Sequence, residues 1–266
     1  MLGTTRHIGK YVLHEQLGRG GAAEVWRAFD PTLERDVAIK FLLPSRQASS
    51  DAAQRFQREA RAIASLCHPN IIQIYDISSD RYPINSDDNQ NDIAYMVMPY
   101  IQGPTLAKYI EQTSRIGKFP SPAEIVNLFT ALGSAIDYAH TCGMIHRDIK
   151  PANILLDQRN AIDSIGFPIL TDFGLVKLQD PSFDKWQSAN AVLGTPLYVA
   201  PEQAQGFATT ELSDLYSLGV ILYELCTGKL PFDFPEQPAD QHPLAALMQR
   251  VMFAPIPPSH VNPSIS

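Results

Sequence analysis

The residues best suited to chemistry lie in two short polar loops in the second half of the chain. In the first loop, residues 146–153 (HRDIKPAN), Asp148 is followed at fixed offsets by a lysine and by Asn153. In the second, residues 171–174 (TDFG), Asp172 stands close to a glycine that can make a sharp turn. Asp148 could accept a proton from a hydroxyl group, and Asn153 and Asp172 supply the hard oxygen ligands that Mg²⁺ prefers. Two unrelated polar loops are the alternative, which so many fixed positions argue against.

A glycine-rich turn at residues 17–25 is a second candidate, because glycines let backbone N–H groups approach phosphate oxygens. An ordinary hairpin turn is the alternative, and a dinucleotide-binding motif is excluded because a predicted strand follows where a helix should begin. Further along, Lys40 ends an apolar strand and Glu59 lies on the next helix. Glu59 could keep a buried lysine charged, or it could pair with a nearby arginine on a solvated helix face.

Hydrophobic patterns predict which elements position these residues. Short apolar runs bounded by turn residues predict strands at residues 11–13, 24–28, 37–42, 71–75 and 94–98. A helical pattern at residues 52–66 interrupts them, and the polar stretch 78–92 is predicted to be a loop. The first hundred residues therefore predict a small sheet with one main helix.

The pattern becomes helical after residue 103. A capping box with a proline at the first helical position, Ser121 to Glu124, opens one helix, which stops at residues 142–143. A second helix is predicted from Ser213 to Gly228, and it is apolar on most faces, which predicts that it is buried. The boundary between the two regions is expected near residues 99–103.

Composition limits the possible functions. The 266 residues are 45% hydrophobic and 18% charged with a net charge of −7, which excludes a disordered chain and disfavours nucleic-acid binding through a basic surface. No signal peptide and no apolar run long enough to cross a bilayer is visible, so a cytoplasmic location is expected for this part of the protein. The scattered cysteines Cys67, Cys142 and Cys226 are predicted to be buried thiols in a reducing compartment.

In their order along the chain, the motifs resemble those of the eukaryotic-like protein kinases, specifically the bacterial serine/threonine branch. Six segments carry the resemblance: residues 17–25, 37–40, Glu59, 146–153, 172–174 and 200–202. Lys150 and the segment GTPLY at 194–198 are similar to serine/threonine kinases and not to tyrosine kinases. The resemblance implies a bilobal α+β fold, with a β-rich N-lobe at 11–98, a hinge at 99–103 and a mostly helical C-lobe at 104–266.

The resemblance also implies residue roles in nucleotide binding. Lys40, oriented by Glu59, would hold the α- and β-phosphates of ATP. Val25, Ala38 and Leu155 would sandwich the adenine, and the backbone from Pro99 to Ile101 would bind its edge behind the gatekeeper Met98. The full set of ATP-binding residues implied in this way is Leu17, Gly18, Gly20, Val25, Ala38, Lys40, Glu59, Met98, Ile101 and Leu155. For the apolar members, simple packing into the core is the alternative.

For catalysis, the resemblance assigns Asp148 to orient the substrate hydroxyl and take its proton. Lys150 would stabilise the γ-phosphate, and Thr195 would brace the Asp148–Lys150 pair. Asn153 and Asp172 would bind Mg²⁺, with Mn²⁺ as a substitute. The implied activity is transfer of the ATP γ-phosphate to serine or threonine hydroxyls of protein substrates, with autophosphorylation. The alternative is a pseudokinase, a nucleotide-binding scaffold without phosphotransfer.

Three further expectations concern regulation, the support of the catalytic loop and the C-terminal end of the chain. Arg147 needs an anionic partner, which predicts a phosphate in the activation segment at residues 172–202. The segment offers Ser182 and Ser188, of which Ser188 is preferred, and an ordinary exposed loop serine is the alternative. Asp214 would anchor the catalytic loop by accepting its backbone N–H groups. Kinase domains have further helices after the last residues of this chain, so we expect a fragment of a longer protein with further domains, marginally stable alone, whose Glu202 lacks its usual arginine partner.

Overall fold

A computed structural model gives the structure of the chain and describes residues 6–20, 23–42, 57–58, 60–81, 92–159, 164–173, 197–232 and 251–265. The chain separates into two compact units, Met1–Ile101 and Gln102–Ser266. The first unit carries a six-stranded antiparallel sheet, and most helices of the described residues belong to the second. The hinge at 99–103 stays a prediction.

The sheet of the first unit has the strand order β1-β2-β3-β4-β6-β5. Its strands are β1 Arg6–Ile8, β2 Tyr11–Arg19, β3 Ala23–Asp30, β4 Arg35–Leu42, β5 Asp76–Arg81 and β6 Asp92–Pro99. Buried and half-buried positions alternate along β3, as expected for a strand that packs one face on a core. That core face carries a cluster in which Trp26 stands opposite Ile39 and Ile39 stands opposite Val97.

The predicted strand at residues 71–75 is wrong. Ile71 and Ile72 are buried, at 2% exposure each, but they form only an isolated bridge and an irregular segment. The strand begins at Asp76 and runs to Arg81, into the stretch predicted to be a loop. The strand β5 can be polar because it lies at the edge of the sheet and pairs only with β6. The apolar residues before it therefore indicated burial and not strand pairing. Residues 82–91 of the predicted loop lie outside the described residues.

The helix predicted at residues 52–66 is described only in part. Residues 57–58 and 60–64 are helical, and Ala60 and Ile63 are buried on its core side, as the apolar spacing predicts. Residues 52–56 and Glu59 lie outside the described residues.

The second unit combines helices with a short hairpin. Its elements are α1 Leu106–Ser114, α2 Pro122–Thr141, a 3₁₀ turn at Pro151–Asn153, β7 Ile154–Asp157, β8 Phe167–Leu170, α3 Pro201–Ala204, α4 Glu211–Thr227 and α5 Pro258–Val261. The predicted capping box of α2 is confirmed, since Ser121 and Glu124 each bond the backbone of the other. The helix ends at Cys142, followed by Gly143 with a φ of +73°.

Helix α4 begins earlier than predicted. It starts at Glu211 behind the N-cap Thr210, and Ser213 lies within the first turn, where its hydroxyl accepts the Thr210 N–H at 3.2 Å. Its predicted end at Gly228 is confirmed, and this glycine has a φ of +71°. The prediction that the helix is buried on most faces is wrong at Leu215, which is 52% exposed, and at Leu222, which is 38% exposed.

The prediction of buried cysteines is also wrong. Cys67 and Cys142 are exposed and Cys226 is half-buried, and all three are free thiols. Cys142 is the C-cap of α2, where the chain leaves the helix and the side chain faces solvent instead of the helix-packing surface. Among the described helices, none is long and apolar enough to cross a membrane.

Candidate active site

Strand register in the first unit brings the glycine-rich turn into line with Lys40. Gly18 stands opposite Val25 across the β2–β3 ladder, and Val25 stands opposite Lys40 across the β3–β4 ladder. Lys40 in turn faces Met96 on β6. Directly opposed residues point to the same face of a sheet, so these side chains form one row. The row lies on the face opposite the hydrophobic cluster, because Val25 precedes Trp26 of that cluster.

Two more of the predicted adenine contacts lie on the same face. Ala38 and Met98 stand opposite each other, and each lies two residues from a member of the Lys40–Met96 pair. Ala38 and Met98 are 7% and 8% exposed. Residues of four strands therefore lie on one face around Lys40, so a single ligand on this face could contact all four strands.

Leu17 interrupts the register between β2 and β3. A shift in the pairing between Gln16 and Gly18 leaves Leu17 unopposed, and its side chain is 45% exposed. Such bulges redirect a side chain away from the regular alternation of the strand. Leu17 is thus presented to solvent at the start of the turn.

The two described glycines of the turn, Gly18 and Gly20, are not required by the fold of the chain itself. A Cβ atom at Gly18 would meet nothing within 4 Å, and one at Gly20 would meet only the Ala23 carbonyl oxygen at 3.6 Å. Neither glycine is among those with a positive φ. The space beside the backbone therefore stays open, which suits a bulky anionic group such as a phosphate.

A buried carboxylate supports the turn from the core side, and the sequence patterns missed it. Glu24 is 1% exposed, and the Gln16 side-chain amide donates to its carboxylate at 2.5 Å. This bond links the strands on either side of the turn. The spacing of Gln16 and Glu24 alone could not predict the pair, because it depends on the shifted register.

In the second unit, side chains of the loop at residues 146–153 converge on one oxygen atom. The Lys150 ammonium lies 2.9 Å from Oδ2 of Asp148, and the Asn153 amide donates to the same oxygen at 3.1 Å. The Asn153 amide also donates to the Asp148 backbone carbonyl at 2.8 Å. Asp148 thus has its main chain and its carboxylate held by the same residue, which fixes the direction of the carboxylate.

Asp172 is brought next to Asn153 by a short bridge between the two loops. The Thr171 N–H donates to the Asn153 carbonyl at 2.9 Å, in line with the β7–β8 hairpin. Asp172 follows with a φ of +59°, a left-handed conformation that costs a non-glycine residue about 1–3 kcal/mol. Aspartate and asparagine enter this region more readily than other non-glycine residues, so an aspartate suits this turn.

The donor set formed by Asn153 and Asp172 fits Mg²⁺. Both hydrogen bonds of the Asn153 side chain use its nitrogen, so neither engages the carboxamide oxygen. One carboxamide oxygen and one carboxylate are hard ligands, and Mg²⁺ typically takes one or two such protein groups and completes its shell with phosphate oxygens and water. Among the described residues, no group of three or more His, Cys, Asp or Glu side chains forms a different metal site.

His146 and Phe173 join the two loops through their rings. The ring centroids are 4.4 Å apart, and Nε2 of His146 lies 3.0 Å from the Thr171 carbonyl oxygen. His146 is 1% exposed, and burial lowers the pKa of its imidazole although nearby carboxylates, Asp214 foremost, oppose the shift. The imidazole is therefore neutral, with Nε2–H donating to Thr171 and Nδ1 available to accept the Asp148 N–H at 3.3 Å.

The predicted anchoring role of Asp214 is confirmed. Its carboxylate accepts the His146 N–H at 2.9 Å and the Arg147 N–H at 2.8 Å. A third contact was not predicted: Nε2 of His140, on the last turn of α2, lies 2.8 Å from the same carboxylate. Asp214 is 1% exposed, so these three donors replace the water that a buried carboxylate would lose.

Arg147 has an unusual backbone and an unsatisfied side chain. Its φ is +66°, and its Nε and Nη1 atoms are buried without a hydrogen-bond partner within the part of the chain that the structure describes. Burial lowers the pKa of the Arg147 guanidinium, and the nearby Asp214 acts in the opposite direction. A guanidinium in this environment favours an anion as its partner.

Of the remaining predicted residues, the structure describes two and does not describe three. Ile101 is 7% exposed at the end of the first unit, and Leu155 is half-buried on β7. Glu59, Thr195 and Ser188 lie outside the described residues, so their roles stay predictions.

These features match one family. The chain belongs to the protein kinase domain family, which residues 11–264 match. Members of this family use ATP and a divalent metal ion. The chain is 40% identical over 233 residues to serine/threonine-protein kinase PrkC of Bacillus subtilis, a match that covers 88% of this chain and 33% of PrkC. It is 36% identical over 265 residues to serine/threonine-protein kinase PknB of Mycolicibacterium smegmatis, covering 99% of this chain and 39% of that protein.

A solved structure shows the same fold. The kinase domain of PknI from Mycobacterium tuberculosis superimposes with a TM-score of 0.65 at 24% identity, covering 100% of this chain and 86% of that domain. The predicted α+β protein-kinase fold is therefore confirmed. The chain spans about a third of the length of the curated relatives that it matches.

Proposed function

We propose that the protein is a serine/threonine protein kinase that transfers the γ-phosphate of ATP to hydroxyl groups of protein substrates. The observation that carries the proposal is the convergence of Lys150 and Asn153 on Oδ2 of Asp148. This arrangement holds a carboxylate in one direction beside a cation, as transfer of an anionic group to a hydroxyl requires. The names of the relatives, which are serine/threonine-protein kinases, support the same activity.

In the proposed reaction, Asp148 accepts the proton of the substrate hydroxyl while that oxygen forms a bond to the γ-phosphorus. The bond between the γ-phosphorus and the bridging oxygen of ADP breaks at the same time, and ADP leaves with the electron pair. Lys150 lies beside Asp148, where its positive charge stabilises the transferring phosphoryl group. Because the protein contributes positioning and charge, and little covalent chemistry, small displacements of Asp148 should have large effects on rate.

Asn153 and Asp172 are the residues that would hold Mg²⁺. When bound, the ion neutralises charge on the phosphates of ATP. Asn153 also keeps the Asp148 carbonyl in place, so it serves the proposed metal site and the proposed base together.

On the sheet face described above, Lys40 would hold the α- and β-phosphates, with Glu59 as its predicted partner. Gly18 and Gly20 would give the phosphates access to the backbone, and Val25, Ala38 and Met98 would contact the adenine. Leu17, Ile101 and Leu155 stay predicted contacts of the nucleotide. The open space at Gly18 supports this assignment.

For regulation, we favour a phosphate on the activation segment as the partner of Arg147, with Ser188 as the preferred site. Thr195, in the same segment, would brace the pair formed by Asp148 and Lys150. The buried, unpartnered nitrogens of Arg147 within the described residues support an anionic partner. Ser188→Ala should lower the phosphate count in intact-mass measurements and slow the reaction. If phosphate count and rate are both unchanged, Ser188 is not the site.

The proposed function is tested by incubating the chain with Mg²⁺, labelled ATP and a generic serine- and threonine-containing protein. The parent should label itself and the substrate, and Asp148→Asn should lower the rate by about 100-fold or more. Asp137→Asn, an exposed aspartate on α2, is the matched control and should keep the parental rate. ATP binding by a parent that transfers no phosphate would overturn the proposal in favour of a nucleotide-binding scaffold.

A further inference from the structure

The peptide group between Arg147 and Asp148 is held from both sides. Its N–H belongs to Asp148 and points to Nδ1 of His146 at 3.3 Å. Its carbonyl belongs to Arg147 and accepts a hydrogen bond at 3.0 Å from the side-chain amide of Gln203, on helix α3. Asp148 is therefore oriented through its own backbone as well as through Lys150 and Asn153.

The preceding peptide group is fixed separately, because the Arg147 N–H donates to Asp214 at 2.8 Å. Asp214 and Gln203 thus hold the two peptide groups on either side of the Arg147 Cα atom. Between them the φ of Arg147 is +66°, a conformation that a non-glycine residue keeps only where its surroundings impose it. Without the bond from Gln203, the second peptide group could rotate and carry Asp148 with it.

Helix α3 is itself attached to the helix that carries Asp214. The Ser213 hydroxyl donates to the Glu202 carboxylate, and these two residues are the chain neighbours of Asp214 and Gln203, which bond Arg147. Upstream of α3, the Ser217 hydroxyl donates to the Tyr198 carbonyl at 2.8 Å. The segment around Gln203 is therefore fixed to α4 at two points, which lets its amide act as a rigid support.

The geometry points to Gln203 as a positioning residue for phosphotransfer: its amide fixes the Arg147–Asp148 peptide group and thereby the direction of the Asp148 carboxylate. This inference rests on the proposed kinase activity. Among the described residues, the side-chain hydrogen bond of Gln203 goes to the Arg147 carbonyl and not to a residue proposed for ATP, so its effect should fall on the rate of transfer and not on nucleotide affinity. The role requires a hydrogen-bond donor at this position, since the partner is a carbonyl oxygen.

Three substitutions separate the donor from the shape of the side chain. Gln203→Met keeps the length and removes the donor, Gln203→Glu replaces it with an acceptor that repels the Arg147 carbonyl, and Gln203→Lys restores a donor. The matched control is Gln205→Glu, because Gln205 is exposed and lies two residues further along the same turn.

We expect Gln203→Glu and Gln203→Met to lower kcat by about 10- to 100-fold with KM for ATP within about twofold of the parent. Gln203→Lys should recover part of kcat, and Gln205→Glu should match the parent. Hydrogen–deuterium exchange should be faster in a peptide covering residues 145–150 of the two damaged variants only. The inference would be overturned if kcat were the same in all Gln203 variants whether or not they carry a donor. It would also be overturned if the loss of kcat came with a lowered melting temperature and Gln203→Lys restored neither.

The exchange measurement keeps this inference separate from the proposed function. If the parent itself transfers no phosphate, the proposed function fails, and the exchange rates alone then decide whether Gln203 holds the loop. If the parent is active and residues 145–150 exchange equally in the parent and Gln203→Met, the kinase activity stands and the positioning role is wrong.

Discussion

The carboxylate of Asp214 binds the backbone N–H of Arg147, a residue 67 positions earlier in the chain, at 2.8 Å. The same carboxylate binds the N–H of His146, so a single side chain on α4 holds two consecutive peptide groups of the loop that carries Asp148. Side-chain acceptors for consecutive N–H groups usually cap the start of a helix. Here the acceptor lies on a helix and the N–H groups lie on a distant loop, so the core of the second unit positions its proposed catalytic residues.

Asp214→Asn should weaken both the fold and the activity. The asparagine carbonyl can accept from one N–H, but its amide nitrogen must then face another donor in a site that is 1% exposed. A buried unsatisfied donor costs about 1–3 kcal/mol, and the free energy of unfolding measured in urea should fall by this amount. The rate of phosphotransfer should fall more than the folded fraction does, because the loop conformation is lost as well.

Glu211→Gln provides the control for this measurement, since Glu211 is an exposed acid in the first turn of the same helix. It should change the free energy of unfolding by less than about 0.5 kcal/mol. An Asp214→Asn protein as stable and as active as this control would contradict the anchoring role.

Lys150→Met should separate catalysis from stability. The Lys150 side chain is 37% exposed, and an ion pair so close to solvent contributes only about 0–1 kcal/mol to folding. The melting temperature should therefore stay near that of the parent while kcat falls by about 100-fold or more, because the cation that faces the transferring group is lost. Lys229→Met, which removes an exposed lysine far along the chain, is the control for both measurements. A parental kcat in Lys150→Met would exclude the proposed role.

Two glycines of the second unit should respond to alanine in opposite directions. At Gly103 a Cβ atom would lie 1.8 Å from the Leu156 carbonyl oxygen, so the backbone of the β7 hairpin must move. Gly103→Ala should lower the free energy of unfolding by about 1–3 kcal/mol. Gly133 lies inside α2 with open space around its Cβ position, and Gly133→Ala should raise the same quantity by about 0.5–1 kcal/mol. Thermal or urea unfolding of both variants checks the pair, and a tolerated Gly103→Ala would show that the close approach is wrong.

The sequence predicted the elements that local rules determine. The capping box at Ser121 and the left-handed stop at Gly228 follow from residue types a few positions apart, and both are confirmed. The fold class followed from motifs whose order is typical of protein kinases. Failures occur where a residue's surroundings decide: Ile71 and Ile72 are buried without belonging to a strand, and the polar strand β5 forms because it lies at a sheet edge.

The candidate site was predictable in its parts and not in its connections. Asp148, Asn153 and Asp172 stand in loops whose spacing indicates their chemistry. The contacts of His140 with Asp214 and of Gln203 with Arg147 join residues 74 and 56 positions apart, and nothing in their local sequence distinguishes them from surface polar residues. Such long-range contacts depend on packing of the second unit, which only the structure provides.

Finally, the buried His146 should make the protein less stable in mild acid. Burial lowers the pKa of the folded imidazole, while the unfolded chain gains a proton below its ordinary value of about 6.5. The unfolded state therefore binds more protons below that pH, and stability that is fully present above it is lost as the pH falls towards the lowered pKa. The loss has a limiting slope of about 1.4 kcal/mol per pH unit for one proton.

His146→Gln should reduce this slope in urea unfolding between pH 7.5 and 5.5, whereas the exposed His7→Gln should not. Because burial also lowers the pKa of His68, a smaller slope should persist in His146→Gln, and identical slopes in all three proteins would contradict a neutral buried imidazole at position 146.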